Sequence, residues 1–242
     1  MDDFEKQHLS IIEEHELSAT EVEKALFTGL YGLNEKHYAL LSVQSLSILY
    51  SYWESFIQKS FQLYIDYLND QNLRFEFLSD DIVIFHMENT FKQFMDYPDK
   101  PGKKIAFYQS LKNHYSQDIQ QIYRFVDTGS NVGFKVLNRL LKQFGLEPFP
   151  PHWGDYRYPN TNLEESLNSF VRYRNSIAHG GDISSEEKIT QDVYTRYRKL
   201  VSDLMYEIHD RFMTALNEQT YLNAKQKTVG VPKYGQTQNA HA

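Results

Sequence analysis

Residues 35–70 contain neither glycine nor proline, and no other feature limits the fold as strongly. Within that run Leu40, Val43, Leu46, Tyr50, Trp53, Ile57, Phe61, Tyr64 and Leu68 step by three and four. Such spacing sets side chains on one face of an α-helix. A helix of this length needs long partners to cover its apolar stripe, and the rest of the chain supplies helical patterns. Alternating β-branched runs with Asn-Gly or Asp-Gly turns are missing. Further helices are expected at about 80–96, 103–125 and 131–144, and the four prolines and two glycines of 145–162 mark a loop. Asn162 and Glu165 can cap a helix through Leu163, Leu167, Phe170, Val171 and Ile177, stopped at Gly180 or Gly181. Ser184 and Glu187 begin another, whose stripe runs from Ile189 and Val193 to Leu216. Ser18 and Glu21 have capping-box spacing near the first helix. The expected fold class is all-α, a bundle of long antiparallel helices. Residues 1–34 read as an acidic helical extension, 35–217 as the main helical domain and 218–242, which lack periodicity, as a disordered tail.

Composition narrows the function classes. A hydrophobic fraction of 41% with 15% aromatics supplies a core and excludes wholesale disorder. The absence of cysteine removes disulfides, thiolate nucleophiles and cysteine-held metals, and fits a cytoplasmic location. The start lacks an apolar signal region, and no apolar run reaches the roughly 18 residues of a membrane span. Of the net charge of −7, residues 1–24 carry −6 and the remainder only −1. Around residues 172–199, Arg172, Arg174, Lys188, Arg196, Arg198 and Lys199 outnumber the acids. Phosphate attraction follows local field, so nucleic acid remains open as a partner.

Familiar nucleotide and metal motifs are missing: HExxH, the Walker loop, GxGxxG and the EF-hand loop. The glycines near Lys135 in "GSNVGFK" have the wrong spacing for a phosphate loop and read as a helix start. "EEHE" at 13–16 reads as a solvated face, since adjacent helical residues point apart. "DKPGKK" at 99–104 can touch a phosphate backbone, though a charged surface turn is its ordinary reading.

One stretch carries chemistry, "RYRNSIAHGGD" at 172–182. Two readings compete. In the first, a histidine in the last turn meets the negative end of the helix dipole and the glycines end the helix. In the second, Arg174 and His179 act on a phosphodiester. Asn175 and His179 share a face at i, i+4, whereas Arg174 and His179 stand about 140° apart on an ideal helix, a gap arginine's long stem can close. Imidazole can take a proton from a ribose 2′-OH near neutral pH, and guanidinium can hold the phosphate. RNA brings its own nucleophile, so this chemistry needs neither metal nor cofactor.

"RNSIAHGGD" at the end of a late helix resembles the Arg-x4-6-His signature of HEPN domains, including the polar residue after the arginine. "SILYSYWESFIQKSFQLYIDYLN", "GSNVGFKVLNRLLKQFGLE", the proline-rich loop and "LNSFVRYRNSIAHGG" follow in matching order, most like the branch with the MAE_28990 and RiboL-PSP groups, over about residues 35–217. The resemblance implies a HEPN-like helical bundle with Arg174 and His179 catalytic and Asn175 and Glu54 supporting. It also implies a metal-independent endoribonuclease acting as a toxin or anti-phage effector, with no cofactor, an RNA substrate, a homodimeric state, and an antitoxin or defence-system partner. The alternative is a catalytically silent helical module that binds RNA or a protein; such members usually lose the Arg or His, and both are present here. HEPN toxins silenced by tyrosine adenylylation carry that tyrosine two residues past the histidine, where this chain has Gly181.

Overall fold

The computed structural model describes residues 1–115, 121–129, 131–154, 162–178 and 189–224. Seven α-helices and no strand lie among the described residues: α1 (Asp2–Phe27), α2 (Glu35–Asp70), α3 (Asp80–Thr90), α4 (Pro101–Tyr115), α5 (Phe134–Gln143), α6 (Leu163–Ala178) and α7 (Gln191–Glu218). The chain is all-α, as its periodicity requires. None of the described helices is long and apolar enough to cross a membrane.

The long helices α1, α2 and α7 form the centre. α2 spans the run free of glycine and proline, and Asn34 Oδ1 accepts the His37 N–H at 2.9 Å at its start. α1 runs antiparallel to both others. Phe4 at its beginning meets Tyr64 and Phe212, while Phe27 at its end meets Tyr38 and Tyr194. Trp53, Phe56, Phe61, Tyr64, Phe144 and Phe212 are buried in the shared core, together with Phe4, Ile12 and Ala19 of α1. Residues 1–34 therefore do not stand apart from the bundle. Ser18 and Glu21 do not form a capping box, because the buried stripe of α1 continues past them; the Ser18 hydroxyl instead donates to the Glu14 carbonyl at 2.8 Å.

Two expected helices are shorter than their patterns suggested. α3 ends at Thr90 and gives way to a 3-10 turn at Lys92–Phe94. α4 ends at Tyr115, and residues 121–129 are extended rather than helical. This segment is a strap laid antiparallel along α2, with Ile122, Val126 and Thr128 buried. The Asn69 side chain accepts the Ile122 N–H at 2.7 Å and donates to its carbonyl at 3.3 Å. Arg124 reaches Asp66 at 2.7 Å, and Thr128 reaches Glu54. Such side-chain bonds replace the ladder a helix would supply.

α6 starts as expected: Asn162 Oδ1 accepts the Glu165 N–H at 3.0 Å and Asn162 Nδ2 reaches Glu165 Oε2 at 3.2 Å. Its expected stop at Gly180 or Gly181, and the start expected from Ser184 and Glu187, lie outside the described residues. α7 opens with Thr190 Oγ1 accepting the Val193 N–H, so Ile189, expected within its stripe, precedes the helix. Beyond α7, Gln219 takes the left-handed conformation at φ 52° and turns the chain back. The Tyr221 carbonyl then accepts the Ser79 N–H at 2.8 Å, with Tyr221 and Leu222 buried. Packing thus continues through the first residues of the expected tail, to 224; residues 225–242 lie outside those described.

Candidate functional site

α6 is fixed by Phe170, whose ring meets Tyr50 of α2 edge-on at 5.5 Å and stacks on Tyr197 of α7 at 4.9 Å. Arg174 lies four residues later on the same helical face. Its guanidinium consequently sits over the Tyr50 ring, with Cζ 5.2 Å from the centroid. Nη1 also donates to Asn175 Oδ1 at 2.9 Å. The ring and the amide together restrict the guanidinium, while Arg174 remains only partly buried.

Tyr50 is itself held from the far side. Its hydroxyl oxygen accepts the Val132 N–H at 2.5 Å, and Trp53 Nε1 donates to the Val132 carbonyl at 2.8 Å. Two aromatic residues of α2 thus clamp Val132, between the strap and α5, at both of its backbone polar atoms. Gly133, the next residue, lets the chain lie close to α6: a Cβ there would lie 3.3 Å from Asn168 Oδ1 and 3.4 Å from Val171 Cγ2. Burial pushes the Tyr50 phenol up to about 12; Glu54 adds to the rise, while the Val132 N–H and Arg174 oppose it. The phenol therefore stays neutral at ordinary pH.

Glu54 is one turn beyond Tyr50 and half-buried. Its Oε1 accepts from the Thr128 hydroxyl at 2.8 Å, and Gln58 Nε2 donates to that hydroxyl oxygen at 3.1 Å. Glu54 thus secures the strap rather than pairing with Arg174. Of the four residues singled out in the sequence, the structure gathers Arg174, Asn175 and Glu54 around Tyr50. His179 lies outside the described residues.

The surrounding basic face is smaller than its residue count suggested. Arg198 forms an ion pair with Glu23, Lys199 binds Asp203 at 2.7 Å, and Arg196 lies over the Tyr197 ring at 5.3 Å. Lys188 is not among the described residues; Arg172 is exposed. Among the described residues no three His, Asp or Glu side chains gather as a metal site would need. A groove of about 520 Å3 lies elsewhere, between α3, α5 and the start of α6, lined by Ile84, Lys135, Arg139 and Lys142 among others.

Tyr50, Trp53, Thr128 and Val132 are the site residues that sequence reasoning missed. Tyr50 and Trp53 sit in the apolar stripe of α2 and read as core. The only signal was the i, i+4 spacing of Tyr50 and Glu54.

The model of a family described as RiboL-PSP-HEPN matches residues 10–214. The match takes in most of α1, which the motifs alone had left outside. Neither the curated proteins nor the solved structures contain a match.

Proposed function

Because the chain belongs to the RiboL-PSP-HEPN family, we propose that it is a metal-independent endoribonuclease built on Arg174 and His179. The observation that carries this reading is the guanidinium of Arg174, held between the Tyr50 ring and the Asn175 amide near the end of α6. His179 follows one residue past that helix. In the proposed reaction the imidazole of His179 takes the proton of a ribose 2′-OH. The 2′-oxygen attacks phosphorus, the bond to the 5′-oxygen breaks, and that oxygen leaves with a proton from the imidazolium. Arg174 holds the non-bridging oxygens as charge grows on them. Asn175 orients the guanidinium, and Glu54 fixes the strap that supports Tyr50. We further propose a homodimer with the two motif helices facing one cleft, acting as a toxin or anti-phage effector under the control of an antitoxin or defence partner.

The test is product chemistry. Cleavage should persist in excess EDTA and leave a 2′,3′-cyclic phosphate and a 5′-hydroxyl. A 2′-deoxy sugar immediately 5′ of the scissile phosphate should block it. His179→Ala should slow cleavage at least roughly a hundredfold, the low end for loss of a general acid–base. Cleavage that requires Mg²⁺ and yields 5′-phosphates would overturn the assignment. A folded chain that binds RNA without cutting it would favour a silent binding module.

A further inference from the structure

α4 presents a basic, aromatic surface on this acidic protein. Residues 100–115 include Lys100, Lys103, Lys104 and Lys112 and not one acid, against a net charge of −7 for the whole chain. α4 has no buried residue. One edge anchors it: Phe107 packs on Phe91 and Phe94, and His114 Nε2 lies 2.8 Å from His86 Nε2. The adjoining face carries Lys104, Tyr108, Lys112 and Tyr115 at steps of four, four and three, with Ile105 beside them. Tyr108 is 65% exposed and Tyr115 52%. Just before the helix Tyr97 is 61% exposed, with Lys104 Nζ 5.2 Å from its ring centroid. Glu76 and Asp80 line the cleft beside Tyr115, and Glu76 is paired with Arg74 at 3.1 Å.

Exposed ring faces interleaved with ammonium groups suit one kind of occupant. Protein interfaces are enriched in aromatics but depleted in lysine. Duplexes keep their bases stacked inside, whereas single strands offer both free base faces and phosphates. The surface also connects to the candidate site. His114 contacts His86, whose Nδ1 accepts the Tyr123 N–H at 3.0 Å, and the strap then follows α2 from Asn69 to Tyr50. That stretch of α2 is about 28 Å long. Along it the strap turns Tyr123 and Phe125 outward.

We propose that α4 and Tyr97 form a binding surface for single-stranded RNA, stacking bases on Tyr97, Tyr108 and Tyr115 and holding phosphates with Lys104 and Lys112. It rests on the ribonuclease reading for its choice of RNA and for its distance from the phosphodiester at Arg174.

The test uses the full chain and a single-stranded 2′-O-methyl oligonucleotide, which cannot be cleaved, followed by fluorescence anisotropy. Tyr108→Ala and Tyr115→Ala should each weaken binding at least roughly fivefold, whereas the Phe substitutions keep the ring and retain affinity. Lys104→Gln with Lys112→Gln should lower the slope of log affinity against log salt by about 1.4, two phosphate contacts. A dinucleotide substrate, too short to reach α4, should be cleaved at an unchanged rate by these variants while the KM for long RNA rises. Unchanged affinity, slope and KM in variants with normal circular dichroism would overturn the surface and leave the enzyme standing. Loss of strand binding in a protein that never cleaves RNA would support the surface and remove the enzyme. Binding to anionic vesicles but not to the oligonucleotide, lost in the same variants, would overturn it in favour of a membrane.

Discussion

Arg174 owes its position to Tyr50 more than to its own helix. The guanidinium lies on the ring, and the ring is pinned by its hydroxyl to the Val132 N–H. These two roles separate by mutation. Tyr50→Phe keeps the face beneath Arg174 and loses only the hydrogen bond to Val132. Tyr50→Ala removes the platform and leaves a core cavity. We expect Tyr50→Phe to retain most RNA cleavage and to lower stability by about 1 kcal/mol. Tyr50→Ala should cost about 3–5 kcal/mol, as large-to-small core substitutions do. Cleavage at a temperature where both variants are folded, beside urea melts, checks this; a Tyr50→Phe variant as inactive as His179→Ala would make the phenol itself catalytic.

At the scale of elements, the strap ties the C-terminal end of α2 to its middle. Asn69 and His86 hold its beginning and Glu54, Trp53 and Tyr50 its end. Gly133 follows the clamped Val132, and a Cβ there would press on Asn168 and Val171 of α6. Gly133→Ala should therefore push the strap from α6 and loosen Val132, costing on the order of 1–3 kcal/mol, the usual range for overpacking. Amide exchange should quicken at Val132 first. Exchange that is unchanged there, with normal stability, would mean that α6 yields without disturbing the clamp.

The whole molecule carries a built-in sensitivity to acid. His8 and His209 bring Nδ1 atoms within 2.8 Å in the core, and burial, reinforced by His209, lowers His8 to about 3. Burial and His114 lower His86 to about 4. Both folded values lie below the ordinary 6.5, so between those limits the unfolded chain binds more protons and stability falls as pH falls. A second proton on His86 must enter at Nδ1, against the Tyr123 N–H. We expect full stability above pH 6.5 and a loss on the order of 2 kcal/mol by about pH 4, after discounting for solvent screening. Thermal melts across that range check it, with His8→Phe giving a shallower slope; an equal slope would place the sensitivity elsewhere. At the same scale, light scattering should find the active species dimeric, and an active monomer would remove the shared cleft.

The sequence by itself determined the all-α class, the limits of α2, the cap of α6 and the Arg174–Asn175 neighbourhood. Each depends on residues within a turn or two of one another, where helical periodicity and capping act. Tertiary structure alone decided the rest. Residues 121–125 continue a helical pattern in sequence, yet Asn69 and His86, more than thirty residues away, hold Ile122 and Tyr123 as a strap. Ser18 has the spacing of a cap, but the buried stripe of α1 carries the helix through it. Tyr50 looks like any core aromatic until α6 lays Arg174 on its face, and Arg198 counts as a free cation until α1 brings Glu23 to it. These contacts join residues far apart in the chain, and packing of whole helices, not local spacing, brings them together.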